Sequence, residues 1–166
     1  DTGGGGHFTP DNAFPGMPDG TDHNDFVVLA KGVIHIPSTS DWTFGVNSDD
    51  GFRLRVTGAT FDAAFGQAGT TVNGDTLEFF APRGPNDSIG VINSLAAGDY
   101  EVELISYERA GGAATELYAA AGTYTAWNSD FRLIGDTAGG GLAVNSEPFD
   151  GSGSSSSFAQ LIQTDV

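Results

Sequence analysis

The stretch Tyr100-Glu101-Val102-Glu103-Leu104-Ile105-Ser106-Tyr107 alternates strictly at its start, with Tyr100, Val102 and Leu104 on one side and Glu101 and Glu103 on the other. A period of two belongs to a strand with one buried face, because successive side chains leave a strand on opposite sides. No segment of the chain carries apolar residues at the helical period of 3.6 over any useful length. Glycine occupies 25 of 166 positions and punctuates the chain into short runs. Short alternating runs between glycine-rich turns constrain the chain to an all-β fold.

Read in order, the runs predict about nine strands. They cover 26–36, 42–48, 52–56, 76–81, 87–92, 100–107, 115–120, 122–127 and 131–134. The first is apolar on both sides over Phe26 to Ala30, as in a strand covered on both faces, and His35 falls on its wetter side. Trp42, Phe44 and Val46 share one face of the second, and Phe52, Leu54 and Val56 share one face of the third. Together these two read as a hairpin with one buried face, and Trp42 as a core aromatic. The segment from Gly58 to Gly74 reads as a loop anchored by Phe61 and Phe65. Tyr118, Tyr124 and Trp127 read as core aromatics, with an aromatic wall for a sugar ring as the alternative.

The expected architecture is an antiparallel β-sandwich with jelly-roll-like or Greek-key connections, barrel closure being the other arrangement such a pattern allows. Three regions follow from composition: an irregular, acidic, Gly/Pro-rich lead-in over 1–25, the β-sandwich over 26–135, and a tail over 136–166. Phe8, Phe14 and Met17 are the residues that would pin the lead-in to the sandwich. The tail holds a Gly/Ser-rich linker from Asp150 to Ser157, and the run Phe158 to Gln163 after it reads as either a closing strand or the start of a next module.

A formal charge of −16 argues against nucleic acid as a partner and against anionic membrane surfaces. It suits a divalent-cation binder, or a protein kept soluble in salty surroundings. With no cysteine, neither a disulfide nor a thiolate metal site is available. No apolar run reaches the length of a spanning helix or a signal peptide. The chain starts at Asp1, and its one methionine is Met17; it reads as a mature or excised part of a longer protein.

Asp49 and Asp50 stand side by side before Gly51, between two strands. Adjacent carboxylates at a corner repel one another and are poor strand formers, so folding alone gives little reason for them. Two readings stand: a polar Asp-Gly turn, or a hard cation held by the pair. Arg53 and Arg55 follow on the solvent face and would offset the field of the pair. In the lead-in, Asp19, Asp22, Asn24 and Asp25 invite a second calcium reading but lack the alternating spacing of a calcium loop; a solvated loop is the plainer reading.

Several motifs in fixed order strengthen the cation reading. They are Gly32-Val33-Ile34-His35-Ile36-Pro37, Trp42-Thr43-Phe44, Ser48-Asp49-Asp50-Gly51 with Leu54 and Gly58, Leu95-Ala96-Ala97-Gly98-Asp99-Tyr100, and Tyr107-Glu108 with Gly111-Gly112-Ala113 and Leu117. In this order they resemble the protective-antigen-type domain, a β-sandwich module of adhesins, flocculins, toxins and glycosidases. The resemblance covers residues 26 to about 120. In lectin members the paired aspartates are joined by a cis peptide and hold calcium, which takes vicinal sugar hydroxyls. Carried to this chain, the resemblance implies Asp49 and Asp50 as calcium ligands. It places the second ligand loop at Glu108 to Ala114, where the family often supplies Asn or Gln. This chain has neither amide there. Glu108 is the implied substitute, with backbone carbonyls of Ala110, Gly111 or Gly112; the metal set is then Asp49, Asp50, Glu108 and Gly111, and the sugar contacts add Ala110 and Gly112.

The expected function is a calcium-dependent carbohydrate-binding module, adhesin- or lectin-like, of a larger extracellular or cell-surface protein, with glycans as partners. The alternative is a structural spacer module without sugar binding. An enzyme is the least supported class, since no nucleophile, base and orienting group assemble in sequence.

Overall fold

A computed structural model describes residues 5–17 and 22–145, together with the backbone of 159–162. The Gly/Ser-rich linker, Asp19 and Phe158 lie outside the described residues. The strands are β1 (Phe26–Ile36), β2 (Ser40–Asp49), β3 (Phe52–Val56), β4 (Ala63–Gly66), β5 (Thr71–Asn73) and β6 (Thr76–Phe79). They continue as β7 (Asn86–Leu95), β8 (Gly98–Glu108), β9 (Ala114–Ala121), β10 (Arg132–Leu133), β11 (Val144–Asn145) and β12 (Ala159–Ile162). There is no helix among the described residues.

Two antiparallel sheets form the sandwich. One runs β11-β1-β8-β3-β6-β5, with β12 also paired to β1; the other runs β10-β9-β2-β7-β4. Most connections pass from one sheet to the other, as in a jelly roll. The inward faces meet in one apolar layer that includes Ile34, Phe44, Val46, Leu54, Leu77 and Leu104. Each such side chain contributes about 1.5–3 kcal/mol on burial. The candidate closing strand is present as β12, paired with β1 from Val27 to Ala30.

The corner between β2 and β3 is not a hairpin. β2 pairs with β7 and β9, whereas β3 pairs with β6 and β8 in the opposite sheet. Trp42, Phe44 and Val46 therefore lie on the opposite side of the core from Phe52, Leu54 and Val56. Alternation reports that a strand has a buried face but not which sheet supplies its neighbours. Arg53 and Arg55 consequently point away from the acidic pair; they bond Glu103 (3.3 Å) and Asp75 (2.7 Å) on the outer face.

Other differences have similar causes. Ala63–Gly66 and Thr71–Asn73, expected as loop, are short strands, both largely exposed, and so carry little apolar patterning. Residues 122–127 are not a strand but a covering loop, held where the Tyr124 amide donates to Thr43 Oγ1 (3.1 Å). The doubly covered strand is β2 rather than β1: Trp42 to Ser48 are all buried, while Val27 and Leu29 remain half-exposed.

What covers the outer face of β2 is a second small core of Ile89, Tyr118, Ala120 and Phe131, with Phe8, Tyr124 and Trp127 against it. Gly45 permits it, since a Cβ there would strike the Tyr118 ring. The lead-in is latched to this core. His7 bonds Asp87 at 2.8 Å and stacks on Trp127 with 4.0 Å between ring centroids. Asp87 also accepts from the Tyr118 hydroxyl (2.7 Å) and Asn47 (2.9 Å). Phe14 packs on Phe26, and Met17 lies in the same cluster.

Candidate metal centre

Three sheet-crossing corners meet at one end of the sandwich: 50–51 between β2 and β3, 80–85 between β6 and β7, and 109–113 between β8 and β9. Asp50 ties them together. Its Oδ1 accepts the backbone N–H of Arg83 (2.8 Å), and its Oδ2 accepts that of Arg109 (3.0 Å). Its own N–H donates to the carbonyl of Tyr107 (3.1 Å), and the Tyr107 N–H donates back to Gly51 (3.1 Å). The Asp49-Asp50 peptide is cis. Gly51 is absent from the left-handed residues, so turn geometry is not what it serves. A Cβ there would collide with the Phe79 carbonyl and the Tyr107 ring; glycine is needed for close approach.

Glu108 ends β8 in the same inward parity as Val102, Leu104 and Ser106, so its carboxylate turns between the sheets. It retains only 2% exposure, and Asp50 retains 5%. Asp49, Asp50 and Glu108 each offer an oxygen, and these atoms all lie within 4.8 Å of one another. Neither Glu108 oxygen has a hydrogen-bond partner among the described residues. The Ala110 amide is near enough to favour the charged form slightly, but without hydrogen-bonding geometry.

The electrostatics follow from this crowding. Burial, then Asp50 and Asp49, pushes Glu108 up to about 7. Burial and Asp50 push Asp49 up to about 6 against the pull of Arg83. A buried carboxylate with no donor and two carboxylate neighbours needs either a proton or a cation. An all-oxygen, all-carboxylate donor set suits a hard divalent ion, so the three residues can hold a metal.

Sequence reasoning brought Asp49, Asp50 and Glu108 to one place but passed over Arg83, which reads only as part of a Pro/Gly turn. Arg83 is the cation beside the pair. Its Nη2 and Nε donate to Oγ and O of Ser48 (2.8 and 3.1 Å), and its Nη1 to Ser88 Oγ (3.0 Å). The guanidinium lies over Phe79 at 4.3 Å and Phe52 at 5.6 Å. Burial lowers its pKa to about 10, which leaves it charged at neutral pH. Ala110, Gly111 and Gly112 follow Glu108 in the 109–113 turn, where Gly111 adopts a left-handed φ of 102°. The Gly111 amide is committed to Asn24. Tyr118, Tyr124 and Trp127 lie in the small outer core rather than at this end.

Comparison with known proteins identifies one family. The family model described as PA14 domain matches residues 12–131, well over half of the chain. No curated protein and no solved structure matches it.

Proposed function

The chain belongs to the PA14 domain family, and on that premise we propose that it is a calcium-dependent carbohydrate-binding module of a larger extracellular or cell-surface protein. The family is one of carbohydrate-binding and adhesin-type modules, found in secreted or surface proteins and in some glycosidases. No helix among the described residues is long and apolar enough to cross a membrane. The observation that carries the reading is the buried Glu108 carboxylate, unpartnered beside Asp49 and Asp50.

In this reading Asp49 and Glu108 supply free oxygens to calcium, and Asp50 supplies the lone pairs its two amide bonds leave. Arg83 holds the Ser48 end of β2 in place, and the carbonyls of Ala110, Gly111 and Gly112 complete the rim. A bound calcium ion supplies a centre at which sugar hydroxyls replace water. Glycans are the proposed partners. Calcium should raise the thermal midpoint against an EDTA control, by an amount corresponding to about 2.7 kcal/mol at a hundredfold excess over Kd. Asp49→Ala should abolish that rise and calcium-dependent signals on a glycan array. Absence of any calcium stabilisation in the parent chain would overturn the reading.

Asp50 favours a second reading. With both oxygens bonded to backbone amides of two other corners, the carboxylate also works as a knot, and a cation would then only stabilise a spacer module. Calcium stabilisation without glycan binding selects that reading.

A further inference from the structure

Residues 22–25 reach the cation centre from far away in sequence; 87 positions separate Asn24 from Gly111. We propose that this segment is the fourth wall of the centre, in which Asn24 positions the 109–111 turn for the cation. The inference rests on the cation reading above and adds residues to it.

The geometry is a chain of hydrogen bonds. Asn24 Oδ1 accepts the Gly111 N–H at 3.1 Å. The Asp25 N–H donates to the Arg109 carbonyl at 3.3 Å, while the N–H of that same Arg109 donates to Asp50 Oδ2 at 3.0 Å. One residue of the turn is thus gripped by the lead-in on one side and by the acidic pair on the other. Asn24 brings to the turn the amide side chain that its own sequence lacks. The independent sign that this end awaits a ligand is Glu108, buried with both oxygens unpartnered. Through Asn24 and Asp25 the lead-in thus braces the same turn that Asp50 holds.

The test is calorimetric titration of calcium alone into the whole chain, comparing wild type with Asn24→Ala and the control Asp25→Asn. The control removes a charge from the same segment but leaves the backbone N–H that donates to Arg109 in place. Groups that orient or support metal ligands typically change affinity by roughly tenfold or more, so Asn24→Ala should weaken calcium by about that factor. Asp25→Asn should stay within about twofold, since a single exposed charge is largely screened. Amide exchange supplies a readout that needs no calcium: the Gly111 N–H should exchange faster in Asn24→Ala than in wild type. Unchanged affinity in Asn24→Ala overturns the inference while leaving the cation reading intact. Equal weakening by Asn24→Ala and Asp25→Asn also overturns it, because the effect would then be general to the acidic segment. A wild-type chain that binds no calcium removes the cation reading and this inference together.

Discussion

Replacing Glu108 by Gln should remove from the calcium-free protein a penalty that grows with pH and, on the proposed calcium reading, take a ligand from the calcium-loaded one. In the fold, Glu108 is raised from 4.5 to about 7 by burial and by Asp50 and Asp49. A folded pKa above the unfolded one means that the charged form is disfavoured by folding. The penalty is absent below the unfolded value of 4.5, grows as pH rises, and is complete above about 7. That interval corresponds to roughly 3 kcal/mol as an upper figure, since the same repulsion also raises Asp49. Gln removes the charge but leaves a buried amide to satisfy, at a cost of about 1–3 kcal/mol. That cost is nearly constant with pH, so the pH dependence isolates the charge. Urea unfolding in EDTA at about pH 5 and about pH 8 should show the difference between variant and wild type moving in favour of the variant by roughly 2–3 kcal/mol. With saturating calcium at the higher pH, the variant should gain less stability than wild type, because on the proposed reading it has lost a ligand. A difference in EDTA that does not move with pH would refute the electrostatic account of Glu108.

Three further outcomes follow from other contacts. Arg83→Met removes the guanidinium from over Phe79 together with the donors to Ser48 and Ser88; urea unfolding should show a loss of about 2–4 kcal/mol, and an unchanged midpoint would mean that the guanidinium does not brace the corner. Gly51→Ala should cost about 1–3 kcal/mol by forcing Cβ onto the Phe79 carbonyl and the Tyr107 ring, whereas Gly58→Ala, in open space at a φ of 84°, should lose only about 1 kcal/mol through backbone strain. Leu54→Ala, at a fully buried position, should lose about 2–5 kcal/mol without altering calcium affinity relative to the folded fraction.

The order of motifs from Gly32 to Leu117 makes the family legible in the residues alone, and the matching family model over 12–131 agrees with it. Asp49, Asp50 and Glu108 are legible by the same route. Arg83 is not, because a lone arginine in a Pro/Gly turn carries no pattern; its role exists only where the 80–85 corner folds over Ser48. Asn24 is invisible as a neighbour of Gly111 for the same reason of distance.

Strand character, the inward parity of each strand and the acidic corner are local properties, set by residue type and a period of two, and they can be read one segment at a time. Sheet membership is not local. The same alternation in Trp42–Val46 and Phe52–Val56 serves a hairpin or a crossing between sheets, and only the pairing of β2 with β7 and β9, and of β3 with β6 and β8, decides. That decision turns the Asp49-Asp50-Gly51 stretch from the tip of a ribbon into the seam between two layers. There Glu108, at the end of β8, can be buried beside it, and the centre's charge, burial and missing hydrogen-bond partners all come from that meeting.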